Sequence, residues 1–271
     1  MDVIVNADDL GMSPEINEAI FELVEQGLVT SATLLANGPS VEEACSQVSR
    51  FPGCSFGAHL NITEFQPVGA SSKLEPLLDE TGEFQQRQIR QVPMDSSLAE
   101  GIFEEFCAQI EKLKSLGIQV SHLDSHHYVL SSPRMFSILK KIQKKYHIRK
   151  ARITRNIYAD GLITRLGITP YALGVDPHLG DSDVGVTLRV KKWAYNFLLR
   201  HYFPTKTTDG FSGFRLFYES ARLGKMDHRT FEANVHPGNS YYHPEEVEIL
   251  KGPWRDALSF PVRLISYHEI Q

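Results

Sequence analysis

The chain sorts into short apolar runs that end in polar residues, separated by stretches whose apolar positions recur every three or four residues. Val3-Ile4-Val5 leads through Asn6-Ala7 into the acid pair Asp8-Asp9, and Gly11 then turns the backbone. Such a run of β-formers reads as a buried strand. From Pro14 to Gly27 the residues Ile16, Ala19, Ile20, Leu23 and Val24 share a helical face, with Ser13 as cap and Gly27 as stop. Residues 30–36 form a second strand, broken by Asn37-Gly38-Pro39, and Ser40-Val41-Glu42-Glu43 opens a helix with capping-box spacing. A third strand covers 56–62. A long helix covers 98–116, with Ile102, Phe106, Ile110 and Leu113 on one face. Residues 120–123 form a strand running into Asp124-Ser125-His126-His127, followed by a helix over 133–146 with lysines on its exposed side and a short strand over 151–154.

Further along, 190–201 is an aromatic-rich amphipathic helix and 207–213 a turn-rich loop. Residues 230–235 form a strand ending at His236-Pro237-Gly238. Residues 244–258 are helical with a break at Gly252-Pro253, and 262–267 form the last strand. Residues 156–183 carry mixed signals and receive no assignment. Residues 63–93 hold several prolines and glycines, a length of loop expected of a lid or substrate wall. Strand and helix alternate as in a parallel sheet, so the fold class is α/β.

Composition narrows the function classes. The chain has 271 residues, 42% hydrophobic and 23% charged, enough for one α/β barrel or two smaller domains; without a clear linker, one domain is expected. A net charge of -5 without a basic stripe argues against nucleic acid as partner. Cys45, Cys54 and Cys107 lack paired spacing, so we expect buried thiols in a reducing compartment. No apolar run approaches the roughly 18 residues of a membrane span, nor is a signal peptide visible, so a cytoplasmic protein without membrane partners is expected.

Chemistry gathers where strands end: Asp8 and Asp9, His59, His126, and His236. In a parallel barrel those ends converge on one face. Two imidazoles and a carboxylate make a divalent-metal triad with open positions for water and substrate. Any one of these histidines alone would read as a surface or satisfied core residue, as do His147, His178, His201, His228 and His243. Asp124 and His126 share a face if the strand continues, so Asp124 either orients a histidine or meets substrate.

At these residues the sequence resembles a known family. Asn6-Ala7-Asp8-Asp9-Leu10-Gly11, Gly57-Ala58-His59-Leu60-Asn61-Ile62-Thr63, His122-Leu123-Asp124-Ser125-His126 and His236-Pro237-Gly238 are similar to motifs of the YdjC-like carbohydrate deacetylases. The resemblance spans nearly the whole chain and implies a single domain over 1–271, a distorted (β/α) barrel like that of polysaccharide deacetylases, with a loop insertion at about 63–96. It implies one divalent metal ion, Mg2+ or Zn2+, with Co2+, Ni2+ and Mn2+ also compatible. By the resemblance Asp9, His59 and His126 are the ligands, Asp8 the general base and His236 the general acid. Expected substrate contacts are Asn61, Asp124, His127, Arg152, Asp209 and Phe211, with Phe65, Phe84 and Phe214 also available to stack on a sugar. The chain departs from the family's histidine-rich continuation at His127, Tyr128 and Leu130, and carries Thr154 where a proline is common.

The implied reaction is hydrolysis of N-acetyl groups on amino sugars or short N-acetylglucosamine oligosaccharides, by a protein for which a homodimer is also compatible. Two rivals remain at this stage: a metal hydrolase of another bond, ester or phosphoester, and a non-catalytic sugar-binding protein on the same fold. No phosphate-cradling glycine loop is present, and adjacent acids do not flank a glycosidic bond.

Overall fold

The computed structural model describes residues 1–158, 185–201, 205–239 and 245–271. Its strands are β1 (Asp2–Leu10), β2 (Ser31–Leu34), β3 (Ser55–Leu60), β4 (Leu123–Ser125), β5 (Gly210–Gly213), β6 (Thr230–Val235) and β7 (Arg263–Leu264). All pairings are parallel, in the order β4-β3-β2-β1-β6-β5. β7 and β2 divide one edge of β1: β7 stands opposite Asp2 and Val3, β2 opposite Asn6 to Leu10. The sheet curls, and an irregular segment continues it. Leu123 N–H donates to the Lys150 carbonyl (3.0 Å), Arg152 N–H to that of Leu123 (3.0 Å), and Asn156 N–H to that of Phe211 on β5 (3.3 Å). The result is a distorted α/β barrel in one domain. The strand expected over 151–154 is only a bridge at Ala151, because the chain there pairs with one neighbour and then the next.

Alternation along β1 separates two environments. Val3, Val5 and Ala7 join the large core beneath the helices, while Ile4 packs inside the barrel with Ile265, Tyr267 and Ile270. Asn6 and Asp8 continue the inward row. The interior therefore has an apolar floor and a polar upper half.

Several local expectations change. Ser13 Oγ accepts from Ile16 N–H and caps the helix Pro14–Glu25. Ser40 makes no side-chain cap, and the Glu43 carboxylate accepts instead from Asn17 Nδ2 (3.1 Å). The segment expected as loop over 207–213 contains β5, a buried parallel strand. Its glycine is demanded by packing: a Cβ on Gly210 would lie 2.3 Å from the Phe231 ring. Lys140 is buried rather than exposed, its ammonium donating to Gln143 Oε1 (2.9 Å) and Thr205 Oγ1. The last strand shortens to Arg263–Leu264, since Ser266 caps a 3-10 turn over Tyr267–Glu269.

The excursion after β3 is a packed wall. It holds 3-10 turn Ser72–Leu77 and short helix Gln88–Gln91, and it buries Leu74, Leu77, Phe84 and Ile89. Glu105, on the long helix Ser96–Ser115, takes the N–H groups of Val68 (2.9 Å) and Gly69 (2.7 Å). The helix Val186–His201 buries Tyr195, Asn196 and Leu199 and leaves Trp193 and Phe197 exposed. Pro244, His178 and His243 lie outside the described residues. No helix among the described residues is long and apolar enough to cross a membrane.

Candidate active site

A defect in β1 builds the site. Pairing with β2 runs in register to Ala7 and resumes, shifted, at Leu10 opposite Leu34. Asp9 between them has φ 70°, a left-handed conformation that costs about 1–3 kcal/mol for a residue with a Cβ, though Asp tolerates it better than most. In a regular strand Asp8 and Asp9 would face opposite ways. The bulge turns both carboxylates inward, each to a different set of partners.

Asp9 Oδ1 lies 3.4 Å from His59 Nε2 and 3.0 Å from His126 Nδ1. One donor atom from each of the three residues lies within 4.8 Å of the others. Ligands about 2.1 Å from a shared ion stand about 3.0–3.4 Å apart, the octahedral and tetrahedral edges, so the separations from Asp9 match one coordination sphere. Asp9 Oδ1 is fully buried and has no hydrogen bond of proper geometry, although two imidazole nitrogens face it. An oxygen so placed lacks a partner that a cation would supply. The three side chains fit a divalent ion.

Each imidazole is held from behind. His59 Nδ1 contacts Asp124 Oδ1 (2.6 Å), and Asp124 is its register partner on β4. Thr33 Oγ1 on β2 donates to Asp124 Oδ2 (3.0 Å). His126 Nε2 contacts Glu64 Oε2 (3.0 Å) at the root of the excursion. Burial opposes charge on both rings, but the carboxylates outweigh it: Asp124, with Asp9, raises His59 to about 10, and Asp9, with Glu64, raises His126 to about 9. The same burial opposes ionisation of Asp9, and His126 and His59 overcome it, holding the carboxyl well below its usual range.

Asp8 is saturated. Its Oδ1 accepts from Asn6 Nδ2 (2.8 Å) and Arg152 Nη2 (2.6 Å), its Oδ2 from Arg152 Nη1 (2.8 Å) and Asn234 Nδ2 (3.0 Å). A carboxylate has about four acceptor positions, and all are filled. Burial disfavours its charge, but Arg152 more than compensates and keeps it well below the ordinary range. Arg152 also reaches Asp124 Oδ2 (2.9 Å) and Glu232 Oε1 (2.7 Å), and Glu232 accepts from the Tyr267 hydroxyl (2.5 Å). One guanidinium thus serves three buried carboxylates.

His236 Nε2 stands 3.7 Å from Asp8 Oδ2 and 3.5 Å from Asn234 Nδ2. Burial lowers its pKa in spite of both aspartates. His127 has φ 49° and borders the site, its Nδ1 on Thr63 Oγ1 (2.9 Å). Burial and the neighbouring His126 press it down to about 2. Asp8, Asp9, His59, His126, His127, Asp124 and His236 therefore meet in one place.

Five expected substrate contacts are engaged within the protein itself. Arg152 is buried and donates to the Asp8 and Glu232 carboxylates, a position suited to orienting those acids. Phe211 is fully buried with the Arg152 guanidinium 4.8 Å from its ring centre, and Phe84 and Phe214 are core residues too. Asn61 is buried and ties its own loop, donating to Asn37 Oδ1 (3.1 Å) and accepting from Thr63 N–H (2.8 Å). Asp209 precedes β5 and accepts from Thr230 N–H (3.1 Å) at the start of β6, the opposite end of the barrel from the metal-type triad. Asp124 is spent on His59, Thr33 and Arg152, the orienting alternative.

Sequence reading missed Asn6, Thr33, Glu64, Glu232, Asn234 and Tyr267. Two of these groups had a signal. Asn6 and Asp8 are two apart in β1, and Glu232, Asn234 and His236 are each two apart along β6, so each set lines one face of an otherwise apolar strand. Glu64 and Tyr267 sit in irregular backbone and carried none.

The family model described as YdjC-like protein matches residues 2–258. A carbohydrate deacetylase of Geobacillus stearothermophilus is 30% identical over 279 residues, covering 98% of this chain and 96% of the relative. Carbohydrate deacetylase 1 of Listeria innocua is 32% identical over 203 residues, covering 68% of this chain and 78% of the relative. Among solved structures, a putative cellobiose-phosphate cleavage protein of Enterococcus faecalis superposes with a TM-score of 0.73 at 23% identity, covering 98% of this chain and 97% of that one, a likeness of fold.

Proposed function

This chain belongs to the YdjC-like protein family, and from that premise we propose that it is a metal-dependent hydrolase removing N-acetyl groups from amino sugars or short oligosaccharides. The observation that carries the reading is the unpartnered Asp9 Oδ1 facing His59 Nε2 and His126 Nδ1, with a second ionised carboxylate, Asp8, on the adjoining residue.

Asp9, His59 and His126 would hold the ion. A divalent cation there supplies Lewis acidity, polarising the amide carbonyl and acidifying the attacking water. Asp8 takes the water's proton. Its acceptor positions are full, so one donor must yield, and Asn234 is the candidate: its Nδ2 is also within 3.4 Å of Tyr128 Oη. Arg152 stays bidentate and fixes the carboxylate plane. His236, whose Nε2 is 3.7 Å from Asp8 Oδ2, carries that proton on to the departing sugar amine, which is a poor leaving group unprotonated. Asp124 keeps His59 oriented with its Nε2 toward Asp9.

Protein stripped with a chelator and resupplied with single divalent metals should release acetate from at least one member of a panel of N-acetylated mono- and oligosaccharides, and only with metal present. No acetate across the panel, or cleavage of an ester or phosphoester instead, would replace this reading.

A further inference from the structure

We propose that Glu64 is a positioning residue for His126, so that retention of the metal ion depends on the root of the 63–93 excursion. The inference rests on the metal-dependent reading above and extends it to a residue that no motif marks.

The two imidazoles have the same construction. Each points one nitrogen at Asp9 Oδ1 and the other at a carboxylate: His59 at Asp124, His126 at Glu64. A carboxylate behind a ligating imidazole fixes its ring orientation and tautomer and raises its basicity. For His126 the contact sets Nε2 as the proton-bearing nitrogen and leaves the Nδ1 lone pair for the ion.

Glu64 is held for this task. Its N–H donates to Asn61 Oδ1 (3.2 Å), and its carbonyl accepts from Asn37 Nδ2 (3.0 Å) and Asn61 Nδ2 (2.9 Å). The adjoining Thr63 holds His127 through Oγ1, and the Phe65 carbonyl accepts from Phe84 N–H (2.9 Å), the turn that closes the excursion on itself. The buried Asn61 that sequence reading assigned to substrate therefore acts one step back, as the clamp on Glu64. An ordinary surface ion pair would need no clamp, and its side chain would turn freely. Here the side chain is 39% exposed, the backbone is tied at both ends, and the carboxylate meets a ring that is 6% exposed.

The test is metal affinity, measured without substrate. Full-length wild type, Glu64→Ala and Glu64→Gln, each freed of metal, are titrated with zinc against a chromophoric chelator, and the zinc-induced rise in melting temperature is recorded. Wild type should bind one zinc. Glu64→Ala should bind about 10-fold more weakly, the lower end expected for a lost outer partner, with a smaller zinc-induced rise in melting temperature. Glu64→Gln keeps an acceptor oxygen at the same reach and should stay within a few-fold of wild type. Equal affinity of Glu64→Ala and wild type overturns the proposal, as does a Gln variant as weak as the Ala variant, which would make charge and not orientation the cause. A wild type that binds no zinc or other divalent ion would sink the metal-dependent reading instead, so the two failures are separable.

Discussion

Two walls enclose the same constellation, and they are made differently. On the sheet side, Asp124 meets His59 because β3 and β4 pair in register there, with Thr33 and Arg152 locking the carboxylate from two more directions. On the excursion side, Glu64 meets His126 from a loop, with one contact through a half-exposed carboxylate. Strand pairing gives one histidine an orientation that can change only if the barrel does. The loop gives the other an orientation as firm as a few asparagine hydrogen bonds. A site with one fixed and one adjustable ligand wall can change shape on one side while the barrel stays intact.

The largest expected effect lies on the sheet side. Arg152→Met would leave Asp8, Asp124 and Glu232 without their shared cation and should destabilise the protein by about 3–5 kcal/mol in denaturant titration. A loss under about 1 kcal/mol would mean that those acids are not charged together. Next comes Asp8→Asn, which should keep near-normal metal content while slowing acetate release about 10²–10⁴-fold. A metal-free Asp8→Asn protein would make Asp8 a ligand rather than a base. Asp124→Ala should weaken metal binding toward the upper end of a 10–100-fold range, more than Glu64→Ala, because the site is buried and no water can reach to replace the lost acceptor. If Glu64→Ala loses more metal than Asp124→Ala, the ranking of the two walls is inverted.

Protonation distinguishes both walls from solvent. His59 and His126, raised to about 10 and about 9, carry protons in the metal-free protein at pH 7. Since their folded values lie above the unfolded value of about 6.5, the stability they contribute is full below that pH and lost as pH rises through about 9 to 10. Metal must displace one proton from each, so calorimetry in buffers of different ionisation enthalpy should show a release near two protons per ion at pH 7. A release near zero would mean neutral rings. The smallest effect belongs to Asp209→Ala, at the far end of the barrel, whose turnover should match wild type within error.

Much of the frame was legible because the strands at the barrel's heart are apolar runs with polar ends. β1, β3 and β6, and with them Asp8, Asp9, His59 and His236, follow from that pattern. β5 did not, because Gly210, Ser212 and Gly213 are residues of turns everywhere except where a phenylalanine ring needs the space. Arg152 and Phe211 are expected substrate contacts that the fold places in the buried interior. The charge of Arg152 is met by Glu232, 80 residues along the chain, which also accepts from the Tyr267 hydroxyl, pairings that local pattern does not mark. Glu64 was invisible for the opposite reason: its partner lies across a loop whose path local periodicity does not encode.

The position of β1 at the centre of the sheet has a consequence for how the molecule is made. Although β2 follows soon after, many partners of β1 lie far along the chain: Arg152 reaches Asp8 across 144 residues, Asn234 across 226, and the Met1 amino group meets Pro261 across 260. A nascent chain therefore carries Val3-Ile4-Val5 with an open edge through most of translation, until β6 and β7 arrive. Contacts so distant in sequence form slowly, and unpaired apolar strands are where growing chains associate wrongly. The partly made chain, and not the finished barrel, is the state in which this apolar edge lacks its β6 and β7 partners.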